Sequence, residues 1–164
     1  NMNAPTTEAD ALGVTMTDLD TLLRESDYVS LNMPLTKATY HLIDDAALRK
    51  MKPTASIINT SRGALVDEPA LFAAVREGRL FGAGIDTHEL MDMFAGHAIP
   101  PGAHPMSGMD NVLLSPHTAS SSVEASHDMM DAGVQNVIDV LAGRWPLAEN
   151  LVNPNVVARF ALAR

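Results

Sequence analysis

Short apolar runs alternate along the chain with segments in which apolar residues recur every three or four positions. The apolar runs predict five strands, at residues 13–16, 28–33, 55–59, 82–86 and 111–115. The segments between and after them predict helices over residues 18–25, 45–51, 68–77 and 121–141. Strands that alternate with helices of about ten residues are typical of parallel βαβ units, so the pattern predicts an α/β fold with a parallel sheet.

The predicted helix boundaries depend on capping residues. Thr17, Asp44 and Asp67 stand where a side-chain oxygen can accept the first free amide hydrogens of a helix. Gly78 and Gly143 follow helical segments, and glycine readily takes the left-handed conformation that ends a helix. We therefore expect each of these residues to mark a helix end.

Residues 90–109 show neither the apolar runs of a strand nor the three- to four-residue spacing of a helix. They contain three Pro, three Gly and four Met. The composition predicts a long loop, and long loops tend to be functional or disordered. The methionines in it are interpreted as packing residues.

The charge of the chain limits the classes of molecule that it is expected to bind. Its 164 residues include 20 acidic and 11 basic side chains, for a formal net charge of −9. An acidic surface repels phosphate backbones and anionic lipid, so we expect neither nucleic acid nor membrane as a partner. The chain has no Cys, which excludes disulfides and thiolate metal sites and is consistent with a cytoplasmic protein.

Polar side chains follow three of the predicted strands. Arg62 comes shortly after the third strand, Asp86 ends the fourth, and His117 follows the fifth. The carboxyl ends of parallel strands meet at one edge of the sheet, where ligands bind. Arginine offers a fixed fork for a carboxylate, and histidine exchanges a proton near neutral pH. A substrate with a carboxylate beside a hydroxyl or carbonyl group needs both an arginine to bind the carboxylate and a histidine to exchange the proton.

These residues lie within a series of ordered motifs. The motifs span residues 26–36, 51–53, 59–68, 82–86, 115–117 and 152–154. In these motifs the chain resembles the D-isomer-specific 2-hydroxyacid dehydrogenases. The resemblance implies a Rossmann-type doubly wound sheet, present only in its second half, with NAD or NADP as cofactor. It also implies interconversion of a small D-2-hydroxy acid and a 2-oxo acid, and a homodimer at full length.

The resemblance also implies a role for each matching residue. Arg62 is similar to the arginine that binds the substrate carboxylate, and His117 to the histidine that exchanges the hydroxyl proton. The hydride chemistry belongs to the cofactor, which the protein orients. The positions that match cofactor-lining residues of the family are Met33, Thr60, Ser61, Arg62, Asp86, His117, Thr118, Ala119 and Ser120.

The chain departs from the family pattern in two ways. The family places a Glu, the partner of its histidine, five residues after the aspartate, and this position is Met91 here. Glu89 and Asp92 are the candidate replacements. The family's Gly-rich turn and its substrate domain are expected before residue 1, so the chain alone is expected to be inactive. Residues 1–144 are then a partial NAD(P)-binding domain, and residues 145–164 return to the substrate domain.

Each candidate residue also has an ordinary structural interpretation. Arg62 could be a surface residue in a turn, His117 a packing residue and Asp86 a loop cap. Glu89 and Asp92 could be solvated loop acids. His88, His97 and His104 are separated by nine and seven residues, which matches no helical pair of metal ligands, so no metal is expected.

Two alternatives to an enzyme remain open. One is a protein on the same fold that senses NAD(H) or recruits partners without turnover. Met91, in the place of the family's glutamate, favours this alternative. Residues 86–89 also resemble the corepressor branch of the fold. The other is a non-functional truncated product. A Gly-rich loop upstream in the reading frame would favour the enzyme.

Overall fold

The centre of the molecule is a four-stranded parallel sheet. The computed structural model describes residues 6–89, 102–159 and 162. The strands are β1 (Tyr28–Leu31), β2 (Ser56–Asn59), β3 (Gly82–Ile85) and β4 (Val112–Leu114), in the spatial order β1-β2-β3-β4. Consecutive parallel strands require crossover connections, as in βαβ units. The predicted α/β class and four of the five predicted strands are confirmed.

Five α-helices and three short 3-10 helices are described. The α-helices are α1 (Thr6–Ala11), α2 (Leu19–Glu25), α3 (Asp45–Leu48), α4 (Glu68–Arg76) and α5 (Val123–Leu141). The 3-10 helices are Gly63–Leu65, Ala148–Asn150 and Pro154–Arg159. No helix among the described residues is long and apolar enough to cross a membrane.

Local side-chain chemistry sets the helix ends. The Asp44 carboxylate accepts the Ala47 amide hydrogen at 2.8 Å, and the Asp67 carboxylate accepts that of Ala70 at 3.0 Å. Gly78 ends α4 with φ +69°. The predicted caps of α3 and α4 and the stop after α4 are therefore confirmed, although α3 ends at Leu48 rather than at residue 51.

The predicted strand at residues 13–16 is wrong. Gly13 has φ +67° and the amide of Val14 donates to the carbonyl of Ala9 at 2.8 Å, so the segment ends α1, a helix that the pattern did not predict. A strand needs a hydrogen-bonded neighbour, and none is described beside Val14, which is half exposed. The cap of α2 is Asp18 rather than Thr17, because its carboxylate reaches the Thr21 amide at 2.9 Å.

The apolar core surrounds the inner strands and the helices that connect them. Ile57 on β2 is fully buried, and α3 packs against α4. The largest completely buried apolar side chains are Leu23, Ile43, Leu48, Ile57, Leu65, Leu71, Leu80 and Met106. Burial of one such side chain stabilises the fold by about 1.5–3 kcal/mol. This core fixes the carboxyl edge of the sheet, where the candidate site lies.

The chain forms two compact units, Asn1–Ala119 and Ser120–Arg164. The first holds the whole sheet and α1 to α4. The second holds α5, capped by Ser122, and the chain that follows it. This division falls earlier than the predicted boundary after residue 144, which stays a prediction. The predicted loop at 90–109 lies largely outside the described residues, and its described part, from Gly102 on, consists of turns.

Candidate functional site

Three strand ends bring the candidate residues to one edge of the sheet. Asn59 ends β2 and lies opposite Ile85 on β3, which in turn lies opposite Leu114 on β4. The residues that follow these positions are the ones that the sequence singled out. Parallel strands deliver their following residues to the same edge. The expected convergence of the three segments is therefore present.

Asp86 organises the turn that contains His117. The Ser115 hydroxyl donates to one carboxylate oxygen at 2.6 Å, and the Thr118 amide donates to the same oxygen at 2.9 Å. The Ala119 amide donates to the other oxygen at 3.0 Å. Because the His117 amide also donates to the Asp86 carbonyl at 2.8 Å, both the main chain and the side chain of Asp86 hold this turn.

These contacts also determine the charge of Asp86. Burial of its carboxyl group acts to raise the pKa, but the hydrogen bonds from Ser115, Thr118 and Ala119, with His117 nearby, outweigh burial. The pKa of Asp86 therefore lies below its usual value, since each hydrogen bond stabilises the charged form. Asp86 is a carboxylate at neutral pH.

His117 has a left-handed backbone. Its φ is +56°, which few residues other than glycine adopt. Such a conformation costs about 1–2 kcal/mol in an L-residue and is kept only where the surroundings enforce it. The hydrogen bonds that the His117 and Thr118 amides donate to Asp86 supply that enforcement. The imidazole is thus delivered from a fixed turn and is partly exposed.

Arg62 lies in an equally well-defined turn after β2. The buried Asn59 amide group donates to the Arg62 carbonyl at 2.9 Å and accepts the Ser61 amide hydrogen at 3.1 Å. The Ser61 hydroxyl donates to the Met33 carbonyl at 2.6 Å, which ties this turn to the end of β1. The Arg62 side chain is exposed, and its Nη1 donates to the Ser61 carbonyl at 2.6 Å.

A cavity of about 630 Å³ opens beside this turn. Its lining combines apolar and polar groups from the end of β1 and the turn after β2. The lining residues are Asn32, Met33, Pro34, Leu35, Ser61 and Arg62. A volume of this size matches sites for small ligands and cofactors. The predicted cofactor residues Met33, Ser61 and Arg62 therefore share one cavity.

The remaining cofactor candidates are exposed. Thr60 lies beside Ser61, and Thr118 and Ala119 follow His117, with their amides engaged as described. Ser120 begins the second unit. The roles of these residues toward a cofactor stay predictions.

The structure gives Glu89 a partner other than His117. Its two carboxylate oxygens accept hydrogen bonds from His41 Nε2 at 2.8 and 2.9 Å, and one also accepts from the Tyr40 hydroxyl at 3.3 Å. The roles of Glu89 and Asp92 as replacements for the family acid stay predictions. Asp92, Met91 and His97 lie outside the described residues.

A second group of polar side chains is buried below the site. His88 Nδ1 lies 3.8 Å from one Glu68 oxygen, and His104 Nε2 lies 3.7 Å from the other. Burial lowers the pKa of His104; Glu68 opposes this effect, and His88 adds to it. Three clustered groups of these types can bind a cation.

A hydrogen bond at His104 opposes metal binding. Its Nδ1 accepts the Met106 amide hydrogen at 3.2 Å. A neutral ring whose Nδ1 is an acceptor has its proton on Nε2, the atom that faces Glu68. A protonated nitrogen is not a metal ligand, so we interpret Glu68, His88 and His104 as a structural polar cluster. The expectation that the protein uses no metal stays a prediction.

Sequence reasoning missed two residues that support the site. No motif points to His41, although it contacts Glu89, and the pattern explains Glu68 only as the start of a helix, although its carboxylate accepts the Glu89 amide hydrogen at 2.8 Å. Both partners are distant in sequence. No local pattern could have indicated these contacts.

A match to a protein family over most of the chain identifies the family. A family model described as the D-isomer specific 2-hydroxyacid dehydrogenase, NAD binding domain, matches residues 1–119. The chain belongs to this family. The match ends where the first compact unit ends, so the described sheet is part of the Rossmann-type NAD-binding domain of a D-2-hydroxyacid dehydrogenase.

Curated relatives in this dehydrogenase family are similar along most of the chain. Glyoxylate reductase of Thermofilum pendens is 49% identical over 141 residues, which cover 86% of this chain and 39% of that protein. Glyoxylate/hydroxypyruvate reductase B of Pectobacterium carotovorum is 43% identical over 140 residues, 85% of this chain and 41% of that protein. The chain thus spans about two fifths of the length of these relatives.

Solved structures of the family superpose on the fold. The NAD-complexed D-isomer specific 2-hydroxyacid dehydrogenase of Lactobacillus delbrueckii ssp. bulgaricus gives a TM-score of 0.80 at 33% identity, covering 89% of this chain and 46% of that one. The apo D-lactate dehydrogenase of Escherichia coli gives 0.74 at 34% identity, covering 88% and 44%. The resemblance inferred from the motifs is confirmed.

Proposed function

We propose that this chain is part of an NAD(P)-dependent D-2-hydroxyacid dehydrogenase that interconverts a small 2-oxo acid and its D-2-hydroxy acid. The observation that supports it most is the position of the Arg62 and His117 turns, which follow β2 and β4 on either side of β3. Asp86, at the end of β3, holds the His117 turn. The relatives named glyoxylate and hydroxypyruvate reductases suggest a substrate of that size.

The cavity beside Arg62 has the chemistry of a nicotinamide site. Met33, Pro34 and Leu35 offer an apolar wall for a ring, and Ser61 and Arg62 offer polar groups beside it. The hydrogen bond from Ser61 to the Met33 carbonyl fixes this wall in place. These residues fit NAD or NADP, which supplies or accepts the hydride at the substrate's C2 carbon when bound.

Two side chains perform the remaining steps. Arg62 binds the substrate carboxylate through its guanidinium, whose planar fork matches two oxygens. Within the described part of the chain no carboxylate forms an ion pair with Arg62, so its guanidinium is available to an anion. His117 gives its proton to the carbonyl oxygen as the alcohol forms, and takes it back in the reverse direction.

The function proposed here belongs to a longer protein. The chain covers about two fifths of its curated relatives, and we propose that it is inactive alone, and homodimeric and cytoplasmic at full length. Met91 stands where the family has a glutamate, and this difference supports a second candidate, an NAD(H)-binding protein without turnover. These two functions differ in one measurable property, turnover with cofactor bound.

The experiment uses the natural protein that contains this chain. NADH or NADPH oxidation is followed with glyoxylate, hydroxypyruvate and pyruvate. Arg62→Lys should lose most of kcat/KM, since an ammonium cannot reproduce the two-point contact. His117→Ala should lower kcat by about 10²–10⁴, while NADH binding changes little.

Matched controls for this experiment come from exposed residues that are not among the candidate site residues. Arg49→Lys alters an exposed arginine paired with Asp45, and His127→Ala alters an exposed histidine on α5. Both should turn over normally. Normal turnover by His117→Ala would remove that residue from the reaction. A wild-type protein that binds NADH tightly but reduces no 2-oxo acid would establish the binding function instead.

A further inference from the structure

One half-buried hydrogen-bonded pair, His41 and Glu89, joins two segments that both contact the Arg62 turn. His41 Nε2 lies 2.8 and 2.9 Å from the two carboxylate oxygens of Glu89, 48 residues away in sequence. The side chains are 27% and 22% exposed, so water competes less for this hydrogen bond than for one at the surface. The Tyr40 ring stacks on the His41 ring at 4.0 Å, and its hydroxyl donates to Glu89.

The backbone of His41 is held in a left-handed conformation. Its φ is +47°, and among the described non-glycine residues only His117 shares this feature. The strain is maintained by contacts with the Arg62 turn, since the His41 amide donates to the Ala64 carbonyl at 2.8 Å. The Ile43 amide donates to the Leu65 carbonyl at 3.1 Å. Residues 41–43 therefore lie along one side of this turn.

Glu89 and its neighbour His88 contact the same turn at Gly63. Gly63 packs so closely on the His88 carbonyl and the Glu89 amide nitrogen that a Cβ atom at position 63 would overlap them. The Glu89 amide donates to the buried Glu68 carboxylate at 2.8 Å, which fixes the backbone beneath the turn. Two segments thus contact the turn, and the hydrogen bond between His41 and Glu89 connects these segments to each other.

We propose that His41 and Glu89 are positioning residues that hold the turn at residues 62–65 in the geometry by which Arg62 grips a substrate carboxylate. The inference rests on the proposed function for what Arg62 binds. Asn59 fixes the start of the turn through the Arg62 carbonyl, and the hydrogen bond between His41 and Glu89 joins the two segments that contact the rest of it. Neither His41 nor Glu89 is assigned a contact with the reacting atoms.

The first arm of the test measures the turn itself, in the natural protein. His41→Gly deletes the pair while glycine takes the positive φ without strain, so the variant keeps the fold. The amides of Leu65 and Val66 donate to the Arg62 and Gly63 carbonyls. Their hydrogen exchange should become about tenfold faster in His41→Gly, because the turn opens more often.

The control for this arm is Arg49→Ala, which removes the exposed pair with Asp45 and should leave exchange at residues 65–66 unchanged. Unchanged exchange in His41→Gly would overturn the proposal, whatever the protein's activity.

The second arm measures the consequence for substrate. In His41→Gly the KM for glyoxylate should rise about tenfold, while the KM for NADH and kcat change less than about twofold, because the lost interaction is binding of the carboxylate. Glu89→Gln keeps an oxygen that accepts from His41 Nε2, so its glyoxylate KM should rise less.

Two results of the second arm have distinct meanings. Equal rises in both KM values, or a fall in kcat alone, would show a general structural role and overturn the positioning of Arg62. Failure of the wild type to reduce any 2-oxo acid would overturn the proposed function, and the exchange arm would still decide whether the pair holds the turn.

Discussion

At the scale of the residue, the site depends on residues with a strained backbone or a buried charge, which hydrogen bonds from neighbouring residues hold in place. His117 and His41 both have a positive φ, and each is held by hydrogen bonds from an adjacent strand end or turn. Asp86 accepts three hydrogen bonds and is almost fully buried. The fold therefore tolerates the strain of two left-handed histidines, and a buried carboxylate maintains one of them.

Asp86→Asn should destabilise the protein in a pH-dependent way. The new amide group cannot accept hydrogen bonds at both of its ends, so at least one donor among Ser115, Thr118 and Ala119 loses its partner. At neutral pH we expect a loss of about 1.5–3 kcal/mol in the free energy of unfolding, the contribution of a hydrogen bond to a charged group.

The pH dependence follows from the direction of the Asp86 shift. Its folded-state pKa lies below the usual value of 3.8, so its stabilisation is present above that value and is lost as pH falls through the folded-state pKa. Urea unfolding of wild type and Asp86→Asn should therefore differ at pH 7 and converge well below pH 3.8. Asp128→Asn, at an exposed position of α5, is the control. A constant difference across pH would contradict this account.

Single residues were predictable from sequence where their partners are local. Asp44 and Asp67 cap helices through amides three residues away, and their identity as caps was confirmed. The prediction of Thr17 was wrong by one position, because α2 begins at Leu19 and the Asp18 carboxylate accepts the Thr21 amide hydrogen. The contact of His41 with Glu89 depends on how two distant segments fold, so no local pattern encoded it.

At the scale of the element, one close approach holds the Arg62 turn against the sheet. The 3-10 helix Gly63–Leu65 lies on the backbone that follows β3, and only a residue without Cβ fits at its start. The sequence indicated this turn through its motif, but not the reason for the glycine. The predicted strand at 13–16 failed for a related reason, since a strand requires a neighbour that periodicity does not reveal.

Gly63→Ala should therefore displace the turn from β3. The methyl group would overlap the His88 carbonyl carbon and the Glu89 amide nitrogen, and backbone cannot rotate away as a flexible side chain can. Overpacking of this kind costs about 1–3 kcal/mol or more. Thermal and urea unfolding measure the loss.

Gly133→Ala is the matched substitution. Gly133 lies in α5, and among the described residues no atom outside the backbone of α5 and the adjacent residues lies within 4 Å of the place that an alanine methyl group would take. Alanine there should stabilise the helix by about 0.5–1 kcal/mol. Equal effects of the two substitutions would show that the close approach at Gly63 does not constrain the turn.

At the scale of the whole molecule, the fold and the family were predictable because several ordered motifs repeat the family's arrangement. The division into compact units was not, since it depends on packing rather than on composition. The described surface also leaves apolar groups exposed. β1 is an edge strand whose Tyr28 is 76% exposed, and α5 has no buried residue. The exposed apolar side chains of α5 are Val123, Met129, Met130, Val134, Val137, Ile138, Val140 and Leu141.

The 164-residue chain alone should therefore self-associate. Exposed apolar surface of this extent marks an interaction site in soluble proteins, and an edge strand offers a second one.

Val134 is 59% exposed in the middle of the α5 set. Burial of one valine in an interface contributes about 1.5 kcal/mol, so Val134→Glu should raise the dissociation constant about tenfold. Ala132→Glu introduces the same charge at a neighbouring exposed position and should have a smaller effect. Sedimentation equilibrium of the three proteins would measure this order, and a monomeric wild-type chain at micromolar concentration would show that α5 needs no partner.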